Sequence, residues 1–196
     1  THDGVPILQT DHPLSKDQDL SLLQPVDFQT SGWMPRVLHW LDDLNTVADK
    51  RLEVVWEMFW WRGCLDLAVQ LRGYQQLVLD MVDRPEFVHD LLKWLVEQRI
   101  HWYSEYYRYF NLPVSPVVFA DDWNNVPFIS PAQYEDFCLP RYLEIEQYHK
   151  KLVSFHSCGN QAPLQKRMLG LESLAIFENS AWMPLEKSIE NLPPDK

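Results

Sequence analysis

The chain has 196 residues, 46% apolar and 23% charged, which are the proportions of a globular protein and enough length for one well-cored domain. Its 17 basic and 28 acidic residues leave a net charge of -11, which argues against a nucleic-acid partner, because phosphate binding needs a basic surface. No apolar run approaches the roughly 18 residues of a membrane span, and the first residues do not read as a signal peptide. Three scattered cysteines (Cys64, Cys138, Cys158) are too few for a disulfide scaffold, so the expected setting is a reducing cytoplasm.

Residues 1 to 32 carry Pro6, Pro13 and Pro25 without sustained periodicity, and read as an irregular lead-in with a short helix. Val37, Leu38, Leu41 and Leu44 stand at helical spacing and predict a helix over 34–47. RLEVVWEMFWW, residues 51–61, is rich in β-branched and aromatic residues and predicts a strand ended by Gly63. Its Trp56, Trp60 and Trp61 read first as core packing and second as a pocket wall. A helix is expected over 64–79. A second, opened by a capping box of Asp83 and Glu86 around Pro85, is expected to run to Tyr109.

PVVFADDWNN, residues 116–125, predicts the next strand, turning polar at its end. Ser130, Pro131 and Gln133 then have the pattern of a helix start, and that helix is expected to reach Lys151 with a bend at Pro140. LVSFHSCGN (152–160) is the third predicted strand, APLQKRML (162–169) a short helix, LESLAIFEN (171–179) a fourth strand and MPLEKSIENL (183–192) a last helix. Strands alternating with helices imply parallel strands joined by crossover helices, in a barrel or an open sheet. No glycine-rich phosphate loop follows the first strand, and every predicted strand ends in polar residues: Arg62, then Asp121 and Asp122, then His156 and Cys158, then Glu178 and Asn179. Both features favour a (β/α)8 TIM barrel, whose strand C-termini carry the chemistry. Four strands are short of eight, so the expected fold is a partial barrel. Residues 1–196 would form a single domain, 1–50 leading into the βα units of 51–196. Open strand edges make a homo-oligomer one outcome.

Strand alternation places Leu152, Ser154, His156 and Cys158 on one face, where the histidine and cysteine read either as core residues or as two ligands of a metal half-site. Adjacent strand residues diverge, so Asp121 and Asp122 cannot both face the interior; Asp122 is the functional candidate, for a substrate contact or for orienting a ligand. Glu57, a carboxylate in an apolar strand, needs a partner such as a metal, a substrate or Arg62.

Three stretches, LRGYQQLVLDMVDRPEFVHDLL, ADDW followed by ISPAQYEDFCLPRY, and FHSCGN, resemble the uroporphyrinogen decarboxylase superfamily, and within it the zinc-dependent corrinoid methyltransferases. The resemblance covers roughly residues 53–196. It implies a cytoplasmic methyltransferase with His156 and Cys158 as zinc ligands, and a third ligand, a cysteine, expected beyond residue 196. It further implies a corrinoid cofactor, a corrinoid protein partner, and a thiol or small methylated substrate. A metal-free decarboxylase of a tetrapyrrole and a non-catalytic partial barrel are the alternatives.

Overall fold

The computed structural model describes residues 12–15, 20–52, 54 and 62–194. The strand expected at 51–61, with Trp56, Trp60, Trp61 and the candidate Glu57, lies almost wholly outside the described residues. Among those described, the elements run α1 (Met34–Ala48), α2 (Cys64–Arg72), α3 (Tyr74–Asp83), α4 (Pro85–Tyr109), β1 (Val117–Ala120), α5 (Pro131–Gln133), α6 (Leu139–His149), β2 (Leu152–His156), α7 (Gln165–Met168), β3 (Ile176–Phe177) and α8 (Leu185–Asn191). The three strands are parallel in the order β1-β2-β3, each pair joined by a crossover that contains helices. This is a section of the expected α/β barrel.

The register sorts the two faces of the sheet. Phe119 pairs with Phe155, and both rings pack on Tyr142 of α6, with centroids 5.0 and 5.4 Å away. The guanidinium of Arg99 in α4 lies 4.7 Å above the Phe119 ring. On the opposite face Val118, Ser154 and Ile176 form a row across the three strands, followed by Ala120 and His156. Val118 and Ile176 remain exposed there. A register irregularity between Val117 and Val118 explains why Leu152 and Phe155 are both buried although strict alternation would separate them.

Several boundaries differ from the sequence expectation. Helix 64–79 is two helices, because Gly73 at φ +84 breaks the chain between α2 and α3. The Asp83–Glu86 box does not form: Asp83 ends α3, Arg84 stands at the N-cap of α4, and no side chain caps it. Ser130 and Gln133 do form their reciprocal box. Instead of a bend at Pro140, a π-helical turn over Tyr134–Cys138 joins α5 to α6, which places Pro140 in the first turn of α6, where its missing N–H is not needed. The expected strand at 171–179 shrinks to Ile176–Phe177. Leu171 and Leu174, three apart, are buried in a turn closed by Leu174 N–H donating to the Leu171 carbonyl, a helical rather than an alternating spacing.

His149 closes α6 inside the core, 1% exposed, with Nδ1 3.0 Å from the Ser115 carbonyl and its ring among Tyr103, Tyr107 and Tyr148. Burial pushes its imidazole down to about 4. The unfolded chain, with an imidazole near 6.5, takes up this proton first as pH falls. Stability is therefore complete above that value and declines until the folded pKa is passed, by about 3 kcal/mol in all. We predict that His149→Gln removes most of this decline. Urea denaturation at pH 7 and pH 4 measures it: the stability gap between wild type and variant should narrow on acidification, and a constant gap would refute the assignment.

Candidate metal centre

β2 ends at His156, so Cys158 is not a strand residue; it reaches the histidine from the loop 157–160. Alternation therefore accounts for the direction of His156 only. The two side chains nevertheless meet, with Nε2 3.3 Å from Sγ. Asp122 comes from the turn after β1, its Oδ1 3.4 Å from the same Nε2. One ligand atom from each of Asp122, His156 and Cys158 lies within 4.8 Å of the others. His156 is 23% and Asp122 35% exposed at the side chain, and Cys158 is exposed, so the cluster opens to solvent on one side.

Asp121 and Asp122 diverge as adjacent residues at a strand end must. Asp121 turns to the helix side, wholly buried, and accepts hydrogen bonds from the backbone N–H groups of Leu65 and Asp66 and from the Tyr142 hydroxyl. Its carboxyl thus caps the N-terminus of α2, accepting from two N–H groups that have no partner within the helix. Gly63 is required at this junction, since a Cβ there would overlap the Asp121 carboxyl. Burial, and then the field of neighbouring Asp66, hold the Asp121 carboxyl well above the usual carboxylate range despite those donors. Asp66 in turn accepts the Trp123 N–H at 3.1 Å, tying α2 to the turn that carries Asp122.

Two residues complete the cluster. Arg62 places Nη1 3.2 Å from Asp122 Oδ2 and 3.6 Å from Asp66 Oδ2, leaving the other Asp122 oxygen facing the histidine. Glu178, just beyond β3, contacts His156 Nδ1 through Oε2. The register makes this contact: Phe155 pairs with Phe177, so the residues that follow each are neighbours. A carboxylate on Nδ1 favours the tautomer with its hydrogen on that nitrogen and presents the Nε2 lone pair to Asp122 and Cys158. The polar end of the fourth predicted strand was the sequence signal for Glu178, but its partner depends on register.

Does this donor set suit zinc? Oδ1 of Asp122 is buried and has no well-aligned hydrogen-bond donor among the described residues. The Cys158 thiol is pushed up to about 11, chiefly by its contact with the Asp122 carboxylate, then by burial and the fields of Asp122, Glu178 and Asp66. Such a crowd of anionic groups is relieved by a cation. Zinc bonds of about 2.0 Å to nitrogen and oxygen and about 2.3 Å to sulfur, arranged tetrahedrally, need separations of about 3.5 Å for N···S and about 3.3 Å for N···O. The 3.3 and 3.4 Å observed match both. The residues fit, with Asp122 in the third position. Cys64 and Cys138 are buried in the core and take no part.

A cleft of about 340 Å³ adjoins Asp122 and Cys158, with Asn125, Asn160, Phe128 and Trp182 in its walls. A larger apolar cleft of about 590 Å³ between α2, α4 and residues 22–26 has no His, Cys, Asp or Glu among its described lining residues. The chemistry therefore points to the smaller one.

The model of the uroporphyrinogen decarboxylase (URO-D) family matches residues 3–191. The chain belongs to that family. Among solved structures it is similar to a methyltransferase from Methanosarcina mazei, with a TM-score of 0.62 and 20% sequence identity over 85% of this chain and 48% of that one. That likeness concerns the fold, and the chain spans about half the length of this neighbour. No curated relative matches it. Within this decarboxylase family section, the described donors all sit at the C-terminal ends of parallel strands or in the loops that follow them, the end of a barrel where reactions take place.

Proposed function

We propose that this member of the family is a zinc-dependent methyltransferase, moving a methyl group between a corrinoid and a thiol or small methylated substrate. The observation that carries the reading is the convergence of Asp122 Oδ1, His156 Nε2 and Cys158 Sγ beside an open cleft. Three protein donors with a solvent-facing side are the pattern of a catalytic rather than a structural zinc site. Zinc bound there supplies a Lewis acid that keeps a substrate thiol ionised near neutral pH or polarises a methyl donor. Glu178 holds the proton on His156 Nδ1, Arg62 anchors the outer oxygen of Asp122, and the cleft walled by Phe128 and Trp182 receives the substrate. Cys158 must release its proton to bind, so zinc uptake should strengthen with rising pH.

A corrinoid protein as partner, a cytoplasmic setting, self-association and one domain over 1–196 belong to the same reading. So does Glu57 as a further substrate contact. A carboxyl-lyase on the same frame would work without a metal. Metal analysis of the purified chain separates the two: one zinc per chain, with one sulfur and nitrogen or oxygen scatterers in X-ray absorption, is the expected result. A chain that takes up no zinc after reconstitution would remove the methyltransferase reading.

A further inference from the structure

The two ligand-bearing loops are joined by a buried carboxamide. Asn125 is 2% exposed, and its Nδ2 donates to the main-chain carbonyl of Asp122 at 2.6 Å and to Ser157 Oγ at 3.2 Å. Ser157 Oγ donates to the same Asp122 carbonyl at 3.3 Å. On the far side, the Asn125 carboxamide rests against Gly159, where a Cβ would overlap it. One step on, the Val126 N–H donates to the Asn160 carbonyl at 3.0 Å, in an isolated antiparallel bridge. The carboxamide thus holds the backbone of Asp122 on one side and the two residues flanking Cys158 on the other.

We propose that Asn125, with Ser157 and Gly159, is the positioning element that sets Asp122 against Cys158 and so decides the coordination the centre can offer. The proposal rests on the zinc reading. His156 and Cys158 come from one strand end and its loop, so their spacing is local. Asp122 arrives from another βα unit, and its position relative to them depends on what ties the two loops. A buried amide whose NH2 group donates twice can tie two points while its flat face packs against a third, which a hydroxyl or a methyl cannot do. Residues that orient metal ligands typically contribute 10- to 100-fold to metal affinity. Errors of about an ångström at such a site are enough to lose function.

The test substitutes cobalt(II) in the full chain and reads its spectrum, where intense visible bands report four-coordination and a near-ultraviolet band reports the thiolate. Asn125→Ala should lower metal affinity 10- to 100-fold and weaken the visible bands, as water replaces Asp122, while keeping the thiolate band. Ser157→Ala, a milder change, should shift the visible bands in the same direction and keeps the test open if Asn125→Ala does not fold. Gly159→Ala should damage the spectrum of the wild type more than that of Asn125→Ala, which no longer carries the obstructing carboxamide. Unchanged affinity and visible bands in folded Asn125→Ala or Ser157→Ala would overturn the positioning role alone. A wild-type chain with no cobalt spectrum would instead overturn the metal reading and this role with it.

Discussion

Replacing His156 or Cys158 with alanine is expected to leave the chain folded and without stoichiometric zinc. Both side chains are partly or largely exposed and neither belongs to the buried core, so each substitution should change stability by about 1 kcal/mol or less. On the proposed zinc reading each removes one of three donors, and the two that remain would hold zinc too weakly to survive dialysis. An affinity loss of at least about a thousandfold is the expected scale, against the 10- to 100-fold expected for Glu178→Gln, which keeps the ligand and loses only its orientation. Competition with a chromophoric chelator measures all three. Equal zinc content in the wild type and both alanine variants would exclude this centre, and an effect of Glu178→Gln as large as that of His156→Ala would make Glu178 a ligand rather than an orienting group.

Asp121→Ala is expected to be among the most destabilising single substitutions in the chain, at about 3–5 kcal/mol. The carboxyl is wholly buried and satisfies the Leu65 and Asp66 N–H groups and the Tyr142 hydroxyl. Alanine leaves all three without an acceptor in a space no larger than a carboxyl, and leaves the first turn of α2 uncapped. Asp121→Asn should lose less, since its carbonyl still accepts while its NH2 group opposes one donor. Urea titration of the three proteins gives the ranking. A cost for Asp121→Ala below about 1 kcal/mol would mean that water replaces the carboxyl, and that α2 is not held by it.

Local signals were readable where their physics is local. Ser130 and Gln133 stand three apart at a helix start and bond to each other, so the box follows from spacing alone. The long helix ending at Tyr109 and the parallel order of strands followed in the same way from periodicity and alternation. The shortened β3 did not, because Leu171 and Leu174 look like strand residues until their turn is seen. The divergence of Asp121 from Asp122 was legible as a rule about neighbours, whereas the purpose of Asp121 was not: two of its donors lie 55 and 56 positions earlier in the chain and the third 21 positions later. Cys158 approaches His156 through a loop rather than along a strand face, so the expected pairing arrives by another route. The contact of Glu178 with His156 and the clamp of Asn125 both require register between separate strands, which no single stretch encodes.

The cap on α2 has a mechanical consequence. α2 is a rod of nine residues, about 14 Å long. Its C-terminal residue Arg72 grips the Leu14 carbonyl and, at 2.6 Å, the Asp80 carboxylate, while its N-terminal amides hold the residue next to Asp122. A tug on the lead segment around Leu14 is therefore delivered, through one stiff lever, to the floor of the candidate metal centre.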